Sequence, residues 1–160
     1  MRNWKRIGSL LLAVTLLFSV CLKAPVYAAE RDSDPDIQVI RIKNNKKVQK
    51  VGKKLKVQLE FRADIRLTKV MVEYEGGGGA YSIRLNALNK ERTKWKGVLP
   101  IKKSMKKSTL GISKIYITGK NDRGKNVKCQ IRNTRWSVES YGFTYVIDQN
   151  LSAGNVKVRS

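Results

Sequence analysis

The 160-residue chain carries 34 Lys and Arg against 12 Asp and Glu, a formal net charge of +22, and contains no histidine. The lack of histidine removes the commonest general base and the commonest metal ligand, and two cysteines are too few for a zinc site or a disulfide framework. With 41% hydrophobic residues in clear periodic order, the chain is not a disordered basic tail either.

At the start, Arg2, Lys5 and Arg6 precede an uncharged apolar stretch from Ile7 to Leu22, which Lys23-Ala24-Pro25 ends. Val26-Tyr27-Ala28 then sets small residues at the two positions a signal peptidase reads, predicting a secretory signal over 1–28 and a product beginning at Ala29. A retained anchor competes with this reading, but about 16 apolar residues is short for a bilayer span. A lipoprotein is disfavoured because Val20 precedes Cys21 where a lipobox has Gly, Ala or Ser. Cleavage removes four cations and no acid, leaving 30 cations against 12 acids, or +18. It also removes Cys21, so Cys129 is left without a partner in its own chain and is expected as a small buried hydrophobe. An intermolecular bridge through Cys129 is the alternative.

Residues 29–36 read as a polar leader holding Asp32, Asp34 and Asp36. From 37 to 160 the pattern is period-two alternation, the signature of half-buried strands. Leu55, Val57, Leu59 and Phe61 face a core while Lys54, Lys56, Gln58, Glu60 and Arg62 face water. Val70, Val72 and Tyr74 repeat the pattern, as do Tyr81, Ile83 and Leu85, then Trp95, Gly97, Leu99 and Ile101, then Ile115 and Ile117, then Val127, Cys129 and Ile131. Turn-forming clusters separate these runs at Val51-Gly52, Gly76 to Gly79, Asn121 to Gly124 and Ala153 to Asn155. Many short strands so punctuated predict an all-β sandwich or barrel.

These spacings resemble the immunoglobulin-like modules of Gram-positive, particularly clostridial, surface and secreted proteins. The resemblance rests on Pro35 to Ile42, on Val48 to Leu59, where Val48-Gln49-Lys50-Val51-Gly52 stands for the family's Val-x-x-Gly with one residue more, and on Ile65 to Tyr74. It continues through Trp95-Lys96-Gly97-Val98-Leu99-Pro100-Ile101, Leu110 to Ile117 and the closing Leu151-Ser152-Ala153-Gly154-Asn155-Val156-Lys157-Val158. Membership implies a single antiparallel immunoglobulin-like β-sandwich over 37–160 and a place outside the cell or in its envelope, and says little of the ligand. Two features depart from the family pattern. Its compact Asp-x-x-Gly-Asn turn is stretched here to Gly119 through Asn126, and the module is expected alone, without the tandem partners usual in the family.

Catalytic readings are thin. Glu73 and Glu75 share a strand face about 7 Å apart, a separation a glycosidase pair can use, but two solvated acids beside lysines are the plainer reading. Asp32, Asp34 and Asp36 lack a loop to complete a calcium shell. Gly76 to Gly79 lacks the following helix or Lys-Ser/Thr of a phosphate cradle and reads as a hairpin loop. No catalytic residue, metal or cofactor is therefore expected.

The cations, by contrast, are grouped. Lys43, Lys46, Lys47, Lys50, Lys53, Lys54 and Lys56 crowd the first strands; Lys102, Lys103, Lys106 and Lys107 surround Met105; Lys120, Arg123, Lys125, Lys128, Arg132 and Arg135 form a third group. A self-repelling, solubilising surface is the bland reading. The functional reading is contact with a polyanion, whether teichoic acid, anionic lipid headgroups, an acidic polysaccharide or nucleic acid, and secretion ranks wall phosphate polymers and lipid headgroups ahead of nucleic acid. The expected polyanion contacts are Lys46, Lys47, Lys50, Lys53, Lys54, Lys56, Lys96, Lys102, Lys103, Lys106 and Lys107. Trp95, Tyr116, Trp136 and Tyr141 are candidate stacking groups, with burial the ordinary expectation for Trp95. Alternatives are an adhesion module that binds another surface protein, a nucleic-acid-binding OB-like barrel marked by exposed aromatics flanked by Lys and Arg, and a small hydrolase.

Overall fold

A computed structural model of the protein describes residues 34–134, 143 and 145–160. The expected signal over 1–28, Asp32, Arg135, Trp136 and Tyr141 lie outside the described residues. Ten strands form among these residues: β1 Ile37–Asn44, β2 Val48–Lys50, β3 Lys54–Ala63, β4 Arg66–Gly76, β5 Gly79–Ala87, β6 Lys94–Pro100, β7 Thr109–Lys120, β8 Asn126–Asn133, β9 Tyr145–Gln149 and β10 Val156–Arg159. Short 3-10 turns at Lys103–Met105 and Ser152–Gly154 are the other regular elements among the described residues. The chain is all-β, as the alternation predicts.

Burial follows the period. Leu55, Val57, Leu59 and Phe61 are buried along β3, Val70, Val72 and Tyr74 along β4, and Trp95 and Leu99 along β6. They join Ile115, Ile117, Cys129 and Ile131 in one continuous apolar cluster. Gly97 lies between Trp95 and Leu99 because a Cβ there would strike the Leu85 side chain, so its strand can press against β5. β1 breaks the period at Val39-Ile40-Arg41, and a bulge there absorbs the extra residue. Ile40 is left 56% exposed, and Ile42 turns back toward the core.

The strands connect as one curled path, β1-β3-β6-β5-β4-β7-β10-β2, with β8 and β9 branching from β7. Two long strands make the turns. β5 pairs with β4 from Gly79 to Leu85, then passes to β6 at Asn86 and Ala87. β7 lies along β4 with one edge. Its other edge takes β10 at Thr109 and Leu110 and β8 from Lys114 onward. Most pairings are antiparallel, as expected, but the β2–β10 and β8–β9 pairings are parallel. Alternation specifies which face of a strand is buried; it does not specify which edge finds which partner.

A basic end built from three chain segments

The first segment is the connection from β1 through β2 to β3, a compact polar turn. Asn45 organises it: its N–H donates to the Lys56 carbonyl at 2.9 Å, and its side-chain oxygen accepts the Lys56 N–H at 2.9 Å. The same oxygen accepts the carboxamide of Gln49, also at 2.9 Å. Gln49 is buried while Val48 and Lys50 on either side of it are exposed, so β2 turns Lys50 outward. Lys46, Lys47, Lys53, Lys54 and Lys56 are likewise exposed.

The second segment is the turn from Lys102 to Lys107. Met105 is fully buried and anchors it. Met105 donates its N–H to the Lys102 carbonyl at 3.0 Å, and Lys106 donates to the Lys103 carbonyl at 3.1 Å. All four lysines stand exposed around that single apolar anchor. Lys107 holds φ at 57°, in the left-handed region that favours glycine. The β4–β5 hairpin braces the turn, because Gly77 sits where a Cβ would lie 2.9 Å from Met105 Cα.

Backbone pairing brings these segments together and adds a third, β10. The Gly52 N–H donates to the Ile101 carbonyl and the Ile101 N–H to the Lys53 carbonyl, both at 2.9 Å, which sets Lys53 beside Lys102. The Lys157 N–H donates to the Lys47 carbonyl at 2.9 Å and the Val158 N–H to the Ser108 carbonyl at 2.8 Å. Arg159 lies in register with Lys50, and Lys157 with Thr109. Lys107, Lys157 and Arg159 line a shallow groove where the segments meet.

Nine of the expected contacts, Lys46, Lys47, Lys50, Lys53, Lys54, Lys102, Lys103, Lys106 and Lys107, therefore gather at one end of the sheet. Lys56 and Lys96 extend the charge along the outer face of β3 and β6 without joining it. Lys54 pairs with Pro100 at the end, Lys56 with Val98 and Gln58 with Lys96, which puts Lys96 about 13 Å along the strand. Lys157 and Arg159 were missed from the sequence, although Val156 and Val158 inward with 157 and 159 outward is the same alternation.

No Asp or Glu occurs in residues 46–59, 92–121 or 149–160. The ion pairs among the described residues join Lys94 to Glu60, Lys114 to Glu73 and Arg132 to Asp148, and none uses a lysine of the basic end. The cations there are exposed to water. Such a cluster is self-repelling and gains from any polyanion laid across it.

The other candidate chemistry is quieter. Glu73 lies 3.9 Å from the Lys114 ammonium, accepts from the Ser113 hydroxyl at 3.3 Å and accepts from the Tyr116 hydroxyl at 3.3 Å. Burial, and then the charge of Glu73, push the Tyr116 hydroxyl up to about 12. Cys129 is a free, fully buried thiol, pushed up to about 11 by burial first and by the charge of Asp64 second. Trp95 is buried, its indole N–H donating to the Arg92 carbonyl at 2.6 Å. Among the described residues no group of three His, Cys, Asp or Glu could hold a metal, and no helix is long and apolar enough to cross a membrane.

No family model matches the chain, and no curated protein matches it. Solved structures do. The chain shares a fold with a stretch of Cwp6 from Clostridium difficile. That similarity has a TM-score of 0.51 at 16% identity and covers 78% of this chain but 17% of Cwp6, so the chain spans about a sixth of that protein's length. Weaker likenesses extend to a DUF4785 family protein from Legionella pneumophila, with a TM-score of 0.43, 14% identity, and 73% of this chain and 30% of the other covered. A Niemann-Pick type C2 protein from Japanese carpenter ant gives 0.26, 13% identity, 60% and 83%. Both fall below the level of a shared fold.

Proposed function

We propose that the protein is a secreted, non-catalytic, immunoglobulin-like module of the cell envelope that holds an anionic envelope polymer at its basic end. The observation that carries this reading is the meeting of three chain segments, 46–54, 102–107 and 157–159, at one end of the sheet without an acidic residue. Each cation near a phosphate-rich surface contributes on the order of 1 kcal/mol, so a useful affinity needs several acting on one polymer. The basic end supplies them on a framework fixed by backbone pairing. The phosphates of teichoic acid and of lipid headgroups share the chemistry such a surface recognises. The fold shared with a stretch of a clostridial cell wall protein agrees with an envelope location, and the signal pattern over 1–28 supports export. Engagement of Glu73 by Lys114, Ser113 and Tyr116 favours a binding role over carboxylate hydrolysis.

The deciding experiment is a pull-down of the exported protein on purified walls with and without their teichoic acid, repeated on anionic vesicles. Retention should require the anionic polymer and fall steeply between 0.1 M and 1 M salt, where the Debye length shrinks from about 10 Å to about 3 Å. Salt-insensitive retention, or equal retention on stripped walls, would turn the reading to an adhesion module with a protein partner.

A further inference from the structure

A separate arrangement lies on the outer face of β4, β7 and β8, and it does not rest on the reading of the basic end. Lys69, Thr118 and Lys128 form one cross-strand row, and Met71, Tyr116 and Gln130 form the next but one. Val70, Ile117 and Cys129, between them, are buried in the core, so both rows face away from it. Phe143 packs on Tyr116 with ring centroids 5.3 Å apart and planes inclined at 31°. Together Lys69, Met71, Tyr116, Thr118, Lys128 and Phe143 line a groove of about 310 Å³. That volume is at the lower end of small-molecule sites, about 300–1,000 Å³.

The groove combines an aromatic platform with a pair of cations. Adjacent strands are about 4.8 Å apart, so Lys69 and Lys128 stand about 10 Å apart at the backbone with the Thr118 hydroxyl between them. Both ammonium groups can reach one anion held above Thr118. Among the described residues no acid lines the groove. The Tyr116 hydroxyl is already committed to Glu73, which fixes the ring, and with Phe143 packed on it the stacked pair forms one apolar surface. An apolar ring face beside two cations suits a flat ligand that is hydrophobic on one side and anionic at one end. We propose that this groove binds a single sugar unit bearing a phosphate or a carboxylate, its C–H face on Tyr116 and Phe143 and its anion between Lys69 and Lys128. A single-stranded nucleic acid would need successive separate platforms along its track, whereas here the two rings contact one another and form one.

The test is a titration of the exported protein, followed by backbone-amide NMR, with glucose 1-phosphate, glucuronic acid, methyl glucoside, inorganic phosphate and a six-residue oligothymidylate. Glucose 1-phosphate or glucuronic acid should shift the amides of Lys69, Thr118 and Lys128, with saturation transfer from aromatic protons to the sugar ring. The K69Q/K128Q pair should weaken this binding by about fivefold or more, and Y116A by about tenfold, while Y116F, which keeps the ring, should retain it. Because Y116A could loosen the fold, F143A is run beside it. Comparison of glucose 1-phosphate with glucuronic acid identifies the anion. Absence of shifts at these amides with both acidic sugars up to about 10 mM overturns the proposal. It is equally overturned if methyl glucoside or inorganic phosphate alone matches the acidic sugars, or if the oligonucleotide binds more tightly than either. Retention on walls by the basic end is measured separately and is unaffected by any of these outcomes.

Discussion

The Gln149 side chain pairs with both backbone polar groups of Val39, 110 residues away: the Val39 N–H donates to Gln149 Oε1 at 3.0 Å, and Gln149 Nε2 donates to the Val39 carbonyl at 2.6 Å. A carboxamide has the same donor and acceptor pair as a peptide group, so Gln149 joins β1 to β9 where backbone pairing stops. β1 would otherwise present an open edge.

Gln149→Ala should therefore lower stability by about 1–3 kcal/mol, the cost of stranding such groups, and should speed hydrogen exchange at the Val39 amide. Gln149→Glu should be worse at neutral pH than below about pH 4, because only the protonated carboxyl can donate to the Val39 carbonyl. Exchange at Val39 that both variants leave unchanged would show that the seam is held elsewhere.

Two glycines of the β4–β5 hairpin should respond differently to alanine. Gly76 has φ at 141°, and a Cβ there would strike the Thr109 carbonyl, backbone against backbone. Gly78, with φ at 78°, has nothing within 4 Å. Gly78→Ala should cost about 1–2 kcal/mol, the left-handed penalty alone. Gly76→Ala should exceed it, at about 3 kcal/mol or more, because neither backbone can yield cheaply. Denaturation midpoints of the two variants compare them directly.

In the lysine turn, charge and anchor should separate. Lys102, Lys103, Lys106 and Lys107 changed together to Gln should leave stability within about 0.5 kcal/mol while weakening retention on anionic walls. Met105→Ala should cost about 2–5 kcal/mol and weaken retention as well, by loosening the turn that presents the lysines. A quadruple variant with full, salt-sensitive retention would remove this turn from the binding surface.

The Cys129 thiol offers a pH test. Its folded value is raised to about 11 from an ordinary value near 9, so the folded state favours the protonated form. The stability it contributes is complete below about pH 9 and is lost as pH rises toward 11. Cys129→Ala should flatten stability over that window. In the native wild-type protein the thiol should resist a polar thiol reagent at pH 8 and react after unfolding; rapid labelling of the native state would contradict its burial.

Much of the fold was legible from residue order. Period two along β3, β4, β6 and β7 told which side chains are buried, because a pleated strand can hide only one of its faces, and charged side chains in the alternate positions force the choice. The same logic turned Lys50, Lys54, Lys56 and Lys96 to the surface. Edge partners were not legible, since every backbone offers the same donors and acceptors: that β10 inserts beside β2, or that β5 and β7 each serve two partners, depends on which edges the packed core brings within reach. The basic end belongs to that second class. Residues 46–54, 102–107 and 157–159 are far apart in the chain, and only the hydrogen bonds from Gly52, Ile101, Lys157 and Val158 make them one surface. The sequence by itself determined the strands, their buried faces and the excess of positive charge; tertiary structure alone decided where that charge is concentrated, because long-range backbone pairing, not the local pattern, sets the distance between cations.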